Sequence, residues 1–470
     1  MRWSTIALVL CCACDHTVSV GEGPATILKQ FPTSSDLDVL FVIDNSSSTE
    51  DKQMLLQQDI EAFGTALDSF PTGRPNLHIG VVTSTVDDGL GAAMLSPSCP
   101  SPNTSQDGLL QMGIGSAAPN GRYIIDIAGP DGSRQTNYDG TLEDAFASIA
   151  NVGASGCGFE AHLAAIARAL NGLHPENEGF LRPDADLAIV ILADEDDASL
   201  KDGSAGQNVF TNTAGLSNGA IESDFRVQPL FAYDCDQPIT AGSGSATYTN
   251  CRPRAGNGSN DYLLDLDTLE QSLAAIKDPS QMSVSLIAGD PTTTIMTGAL
   301  SIPSGSQDPA LLPSCTGTIG ADAVIGRPGI RLDAFASHYD WRGTFSSVCQ
   351  PDYSPALTSM AGTMATMMTT DCLAGTVDAT DTDGSNAGIQ PACTVVDHID
   401  YATSTETDVP IPACPMTAAT LPDPNGPRPC WWAQTDESCT QLGSELSLHI
   451  ERATPAEPGT LVSINCAPTK

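Results

Sequence analysis

The hydrophobic pattern of the chain contains two unbroken apolar runs, residues 39–43 and 187–193, and each run ends directly at an acidic residue. Runs without polar interruption are typical of strands that are covered on both faces, as in the parallel sheet of an α/β domain. A further strand is predicted from Leu77 to Thr83, and a fourth over residues 282–288. The strand pattern therefore predicts a sheet that is buried on both sides.

Between these strands, apolar residues recur every three or four positions, which predicts amphipathic helices. The first helix begins near Thr49, the second follows the loop at residues 155–160, and the last begins at Ser354. Shorter helices are predicted over 142–151 and 266–276. The three main apolar stripes are Leu56, Ile60, Phe63, Leu67 and Phe70; Phe159, Leu163, Ile166, Leu170 and Leu173; and Leu357, Met360, Met364 and Met368. Alternating strands and helices predict an α/β domain.

Two parts of the chain depart from this alternation. Residues 87–140 are polar and rich in Gly, Pro and Ser, as expected of a long insertion. From residue 371 the helical stripes end and six Cys occur among the last hundred residues, which predicts a small disulfide-bonded β module over 371–470. Within it, the alternating segments 446–450 and 462–466 predict a terminal hairpin.

The first apolar strand leads into a cluster of oxygen-bearing side chains. Asp44, Ser46 and Ser48 alternate directly after it, so one tight loop can turn all three toward one point. Carboxylate and hydroxyl oxygens are the hard ligands that Mg²⁺ and Ca²⁺ prefer. The alternative is a polar loop that caps the next helix, since Asp and Ser are also common N-cap residues.

The pattern Asp-x-Ser-x-Ser after a first apolar strand resembles the metal-ion-dependent adhesion site of von Willebrand factor A-type domains. The resemblance implies a doubly wound, mostly parallel α/β domain over residues 37–370, decorated by long insertions. It also implies that a Mg²⁺ or Ca²⁺ ion mediates binding to a protein partner. The family has a distal aspartate after a central strand, and Asp194, which follows the run at 187–193, matches that position.

The family pattern also includes a Thr before a helix, and here the chain departs from it. The matching loop, residues 155–160, contains no Thr. Depending on the gap chosen, Cys157 or Glu160 falls at the Thr position. A disulfide-bonded cysteine could not serve, so Glu160 is the expected substitute and Ser155 the second candidate. The predicted metal ligands are Asp44, Ser46, Ser48, Asp194 and Glu160.

Charge and composition narrow the class of partner. The 470 residues include 57 Asp and Glu but only 19 Lys and Arg, which gives a net charge of -38. Such a chain repels a phosphate backbone, so nucleic acid is excluded as a partner. Gly and Pro number 42 and 33, together above the average share of about 12%, as long loop-rich insertions require.

The amino terminus and the cysteines both indicate export. Met1 and Arg2 precede a short apolar stretch that resembles a secretory signal, and Cys14 resembles the lipid-attachment site of bacterial lipoproteins. Cys11 and Cys12 are the alternative lipid-attachment sites. Secretion without a lipid anchor is a further alternative. We therefore predict a signal over 1–14, a linker over 15–36 and no membrane association except through a lipid anchor.

Of 15 Cys, twelve remain after Cys11, Cys12 and Cys14 are set aside, an even number that suits disulfides outside the cytoplasm. Connectivity does not follow from sequence alone. Short separations nevertheless favour the pairs Cys235–Cys251 and Cys315–Cys349, and a Cys99–Cys157 bridge would fix the long insertion beside the site.

The function expected from these observations is that of an exported or surface-anchored protein that binds a protein or glycan through a divalent cation, with the partner contributing a carboxylate. One alternative is a structural envelope or spacer protein with a vestigial metal site. A hydrolase is the third, but the chain has no Gly-x-Ser-x-Gly or His-Glu-x-x-His motif. The candidate general base for a hydrolase is His338, near Asp340. We expect that the protein is not an enzyme.

Overall fold

The computed structural model describes residues 25–29, 36–70, 73–87, 106–129, 133–183, 185–211, 228–240, 242–255, 261–277, 279–301, 307–369, 373, 377–399, 407–435, 446–453 and 461–467. The chain divides into two compact units. The larger comprises residues 30–370 with 455–459, and the smaller comprises residues 1–29, 371–454 and 460–470. The predicted signal, the lipidation site at Cys14 and Cys99 lie outside the described residues.

Within the described residues of the larger unit, seven strands form one sheet. Their bounds are β2 Asp36–Ile43, β3 Asn76–Thr83, β4 Tyr123–Ala128, β5 Arg134–Thr136, β6 Asp186–Leu192, β10 Met282–Ala288 and β15 Gly343–Ser347. Their order in the sheet is β15-β10-β6-β2-β3-β4-β5. The strands from β15 to β3 are parallel, and β4 and β5 are added antiparallel at one edge.

Helices cover both faces of this sheet. Their bounds are α1 Glu50–Asp68, α2 Leu142–Ala150, α3 His162–Leu170, α4 Ser204–Thr211, α5 Leu266–Ala274, α6 Ile330–Ser337 and α7 Ser354–Thr369. Alternate residues of β2 belong to two separate apolar clusters. Phe41 packs with residues of α1, α2 and α7, whereas Leu40 and Val42 pack with residues of α3, α5 and α6. The predicted doubly wound, mostly parallel α/β architecture is therefore confirmed.

The predicted apolar stripes differ in how well they match the helices. Every residue of the first stripe is buried, and the Met residues of α7 lie in the core. The second helix starts later than predicted, at His162, so that Phe159 is buried in the preceding loop and Leu173 beyond the helix end is 52% exposed. This shift places Glu160 and His162 at the junction between loop and helix.

The insertions form small sheets of their own. Their strands are β7 Tyr233–Asp234, β8 Ala246–Tyr248, β9 Arg252–Pro253, β11 Ile295–Ser301, β12 Gln307–Leu311, β13 Cys315–Ile319 and β14 Asp322–Gly326. The disulfides Cys235–Cys251 and Cys315–Cys349 are present as predicted. Cys157 is also disulfide-bonded. A separate apolar cluster contains Cys157 and Phe159 together with residues of the strands β7, β8, β11 and β12.

The smaller unit is built from strands, and its pairing corrects one expectation. Its strands are β1 Ala25–Lys29, β16 Cys393–Ile399, β17 Thr407–Ile411, β18 Met416–Ala418, β19 Leu421–Pro422, β20 Cys430–Thr435, β21 Leu446–Glu451 and β22 Leu461–Cys466. The predicted hairpin between the last two strands is wrong, because β21 pairs with β20 while β22 lies between β1 and β16. Strand β1 also means that part of the expected linker over 15–36 is an edge strand of this unit.

Disulfides stabilise the smaller unit as well. Within the described residues they join Cys393 to Cys466 and Cys414 to Cys430. Trp432 packs against the second of these bridges and is buried. Disulfides in this number are typical of proteins in an oxidising, extracytoplasmic compartment. Among the described helices, we find none with the length and apolar character needed to cross a bilayer.

Candidate metal centre

The candidate site lies at the switch point of the sheet, where the strands that follow β2 along the chain are added on opposite sides of it. Counting only the parallel strands, β2 lies between β3, the next in chain order, and β6, which comes third. In open α/β sheets, ligands bind at the carboxyl ends of the strands beside such a switch point. Asp44 follows β2 and Asp194 follows β6, and the two strand ends are joined by a hydrogen bond from the Asp44 amide to the Leu192 carbonyl at 2.9 Å.

The Asp-x-Ser-x-Ser loop brings three of the predicted ligands together with the fourth. Ser46 Oγ lies 3.0 Å from Ser48 Oγ, and Ser48 Oγ donates to Asp194 Oδ1 at 3.1 Å. Oδ1 of Asp44 accepts hydrogen bonds from the Ser46 amide at 2.8 Å and from Ser84 Oγ at 3.2 Å. Ser48 is exposed, whereas Asp44 and Asp194 are buried. The group therefore extends from the surface inward.

The loop is held by the helix that follows it. Thr49 Oγ1 donates to the carbonyls of Asp44 and Ser46, both at 2.9 Å, and Gln53 Nε2 donates to the Asp44 carbonyl at 2.7 Å. Thr49 is the N-cap residue of α1, and its side chain makes no capping hydrogen bond; the Lys52 amide in the first turn donates to Asp51 Oδ1 at 2.9 Å. The side chains of Asp44, Ser46 and Ser48 contact one another, Ser84 and Asp194 instead of capping α1.

Lys52 is a charged group at this site that sequence reasoning missed. Its Nζ lies 3.1 Å from Asp194 Oδ2 and 3.2 Å from Asp51 Oδ1, and it donates to the Ser48 carbonyl at 2.8 Å. The side chain is only 3% exposed. In sequence, a Lys in the first turn of an acidic helix reads as a solvated residue, so nothing signalled that its ammonium group would neutralise Asp194.

The loop at 155–160 is fixed between the strand ends. The Gly156 amide donates to the Asn45 carbonyl at 2.7 Å, and an added Cβ there would lie 2.2 Å from Asn45 Oδ1, so a larger residue would require the Asn45 side chain to move. Cys157 is disulfide-bonded and Ser155 is exposed. Glu160, the expected substitute for the Thr, is 1% exposed, and its carbonyl accepts from the Ala198 amide at 2.8 Å.

The inner side of Asp44 faces two further titratable groups. One ligand atom each from Asp44, Glu160 and His162 lie within 4.8 Å of one another, and all three side chains are buried. Oδ2 of Asp44 has no N–H or alcohol donor among the described residues. His162 was not among the predicted ligands, because its separation from the Asp-x-Ser-x-Ser loop follows no known motif.

The acids after Asp194 have structural partners. Asp197 Oδ1 accepts from the Leu163 amide at 3.0 Å, and Ser199 Oγ accepts from the Ala164 amide at 2.8 Å, so both cap the start of α3. Asp196 accepts from the first amides of α6. A run of acidic residues such as 194–197 is typical of a solvated helix start, but Asp196 and Asp197 are buried, and they cap α6 and α3. Negative charge is stabilising at these positions because the amino-terminal end of a helix carries partial positive charge.

The electrostatic environment of the site favours a bound cation. Burial, followed by the negative charge of Asp194, raises the pKa of Asp44 to about 7. Burial also lowers the pKa of His162 to about 4, so the imidazole is neutral at physiological pH. A cation next to Asp44 would offset both the loss of hydration and the repulsion that raise its pKa.

The comparisons with known proteins add similarity at the level of structure only. No family model and no curated protein matches the chain. The solved structures that it resembles include the pilus adhesin SpaC from Lactobacillus rhamnosus GG, in an open conformation, at 10% identity and a TM-score of 0.31. They also include a von Willebrand factor type A protein from Catenulispora acidiphila, at 10% identity and 0.28, and the pilus adhesin RrgA from Streptococcus pneumoniae, at 10% and 0.25.

These similarities cover 95%, 96% and 94% of this chain but only 41%, 67% and 57% of the other chains. The chain thus spans less than half the length of the Lactobacillus adhesin. The family that the Asp-x-Ser-x-Ser motif resembles is among these structures. With TM-scores this low, the similarities carry no functional argument, and the case for function rests on the site itself.

Proposed function

We propose that this protein is an exported, non-enzymatic binding protein that holds a carboxylate-bearing protein or glycan through a divalent cation, Mg²⁺ or Ca²⁺, at the end of β2. The ligands would be Ser46, Ser48 and Asp194 at the mouth and Asp44 with Glu160 on the inner side. The observation that supports this most strongly is the convergence of hydroxyl and carboxylate oxygens at the switch point of the sheet.

The donor set fits a hard cation in chemistry and in accessibility. Hydroxyl and carboxylate oxygens are the ligands that such ions take. Ser48 is exposed, so a cation bound there would keep a coordination position open to a partner. When bound, the cation would supply positive charge for a partner carboxylate. The protein's own residues keep the loop in place through Thr49 and Gln53.

The overall charge gives the cation a second role. At a net charge of -38, the protein repels an acidic partner before contact. A cation at the mouth offsets the negative charge there and offers a coordination position to a carboxylate, which favours carboxylates over neutral groups. Lys52 cannot fill this role while its ammonium group is bound to Asp194 and the Ser48 carbonyl.

Binding of chelator-treated protein to immobilised polyglutamate tests this function. We expect binding in millimolar Mg²⁺ or Ca²⁺, and loss of binding when chelator is added. Ser48→Ala should weaken cation affinity by about tenfold, equivalent to about 1.4 kcal/mol, because it removes a direct ligand. Ser47→Ala is the matched control, since Ser47 is the exposed neighbour outside the alternating pattern, and it should bind as the unsubstituted protein does.

One observation favours a structural role instead: Lys52 already neutralises Asp194. A spacer protein with a vestigial site would bind neither cation nor polyglutamate, and its thermal unfolding would be the same in Mg²⁺, Ca²⁺ and chelator. That combined result would overturn the cation-dependent function and leave the α/β fold unchanged.

Lys52→Met separates these two functions further. A bound cation must displace the ammonium group from Asp194, so its removal should tighten Mg²⁺ binding by about tenfold, the equivalent of about 1.4 kcal/mol. Without a cation the same variant should be less stable, because Asp194 stays buried and loses its partner. Isothermal titration and thermal unfolding measure the two effects. If Mg²⁺ affinity fell instead, Lys52 would support the site rather than compete for it.

A further inference from the structure

His162 is a buried side chain whose polar atoms have no visible role. It is the first residue of α3 and is 0% exposed, and neither Nδ1 nor Nε2 has a hydrogen-bond partner within the described part of the chain. A buried imidazole normally donates or accepts through at least one nitrogen, because an unsatisfied polar group in the interior costs free energy. Some ligand for this ring is therefore expected.

The polar groups nearest to the ring are two carboxyl groups. Asp44 and Glu160 each place an oxygen within 4.8 Å of a ring nitrogen and of each other. The Glu160 carboxyl group is hydrogen-bonded to the Asp44 side chain. Oδ2 of Asp44 receives no N–H or alcohol hydrogen bond from the described residues. Two carboxyl groups at this separation, away from water, need a proton or a cation between them.

The basic side chains described near this cluster form ion pairs with other carboxylates. Lys52 binds Asp194, and Arg331 binds Asp197 at 3.2 Å. The positive end of α3, which would repel a cation, is offset because its first amides donate to Asp197 and Ser199. The cluster thus combines negative charge with a neutral nitrogen ligand, and within the described part of the chain Asp44 has no cationic side chain as an ion-pair partner.

We propose that Asp44, Glu160 and His162 form an inner site for a divalent transition-metal ion of the zinc class. Zn²⁺ takes histidine nitrogen and carboxylate oxygen together, whereas Mg²⁺ and Ca²⁺ take oxygen almost exclusively. Ligand atoms bonded to one Zn²⁺ at about 2.0–2.2 Å can lie at most about 4.4 Å apart. The three side chains therefore need only a small movement to share one ion.

This inner site goes beyond the proposed function and does not depend on it. The two sites share the carboxyl groups of Asp44 and Glu160; the surface cation would add Ser46, Ser48 and Asp194, whereas the inner ion would add His162. An ion there would tie β2 to the start of α3 and hold Asp44 in its ionised form. It would thus fix the position of the loop that carries the serines.

Titration of the chelator-treated, disulfide-intact full chain with Zn²⁺ and, separately, with Mg²⁺ tests the inner site. We expect Zn²⁺ to bind more tightly than Mg²⁺. Because even indirect contacts to a metal ligand are worth about 10–100-fold in affinity, His162→Gln should lower Zn²⁺ affinity by at least about 100-fold. The same substitution should leave Mg²⁺ affinity within about twofold, since imidazole is a poor ligand for Mg²⁺.

His78→Gln is the matched control. His78 is also buried, but it lies in β3 and its Nδ1 contacts the Phe180 carbonyl at 2.9 Å, so its substitution should leave Zn²⁺ affinity unchanged. If His162→Gln does not fold, zinc-edge X-ray absorption of the Zn²⁺-loaded unsubstituted protein replaces it. The expected result is one imidazole in the zinc coordination sphere.

Equal Zn²⁺ affinity with and without His162, or an absorption spectrum without imidazole, would overturn the inner site. Histidine-dependent Zn²⁺ binding without any cation-dependent binding to polyglutamate would support the inner site and overturn the proposed surface function. Binding to polyglutamate in Mg²⁺ with no detectable Zn²⁺ binding would do the reverse. A carboxyl pair that shares only a proton would give that last result.

Discussion

Asp197→Ala should lower the free energy of unfolding of the larger unit by about 3–5 kcal/mol, because it leaves a buried guanidinium group without its carboxylate. Arg331 is 2% exposed, and both its Nε and Nη2 lie near Asp197 Oδ2, at 3.3 and 3.2 Å. The substitution also removes the acceptor for the Leu163 amide at the start of α3. Chemical denaturation monitored by circular dichroism measures the loss.

A double substitution tests whether the unpaired charge is the cause. Asp197→Leu combined with Arg331→Met removes both charges, and apolar replacement of a buried pair is often close to neutral. We therefore expect the double variant to regain most of the lost stability. Asp234→Ala is the control for an exposed pair, because Asp234 is 42% exposed beside Arg254 and should change stability by about 1 kcal/mol or less. Equal losses at Asp197 and Asp234 would contradict this account.

Asp44→Asn should abolish stabilisation by the cation. At a cation concentration of a thousand times its dissociation constant, mass action should stabilise the unsubstituted protein by about 4.1 kcal/mol. Asn lacks the negative charge, so the increment should vanish. Without a cation the variant should keep its stability, because it relieves the burial and the repulsion from Asp194 that raise the Asp44 pKa. Thermal unfolding with and without Mg²⁺ measures both effects.

Asp38→Asn is the matched control for this prediction. Asp38 is as fully buried as Asp44, but it lies in β2 near the end opposite to Asp44, and its Oδ1 lies 2.7 Å from Arg182 Nη2. Its substitution should lower stability while leaving the increment from the cation intact. An Asp44→Asn protein that is still stabilised by Mg²⁺ would place the ion elsewhere.

Much of the fold could be predicted because its signals are local. An unbroken apolar run such as residues 39–43 is typical of a strand buried on both faces, and a polar residue directly after such a strand lies at the end of the sheet where the strands terminate. Asp44 was predicted in this way, and Asp194 was predicted from its place after the second such run together with its match to the distal aspartate of von Willebrand factor A-type domains. The start of α3 could not be placed, because Phe159 continues the apolar stripe of that helix although it belongs to the loop before it.

The parts of the site that were missed depend on contacts between distant segments. Lys52 reaches Asp194 across 142 positions, and His162 reaches Asp44 only because β2 and the start of α3 meet at one edge of the sheet. Ser84 contributes a hydroxyl to Asp44 because β3 ends beside β2, so the adjacent hydroxyl residues after that strand were an available signal. The pairing of β21 with β20 likewise has no local signature.

The most direct measurement is a crystal structure of the protein grown in saturating Ca²⁺, with anomalous scattering used to locate the ion. The proposed function predicts an anomalous peak at about 2.3–2.6 Å from the oxygens that bind it. Those oxygens should include the Ser46 and Ser48 hydroxyls, and the ammonium group of Lys52 should have moved away from Asp194. The contradicting result is the absence of any peak beside these serines, with Lys52 still bound to Asp194.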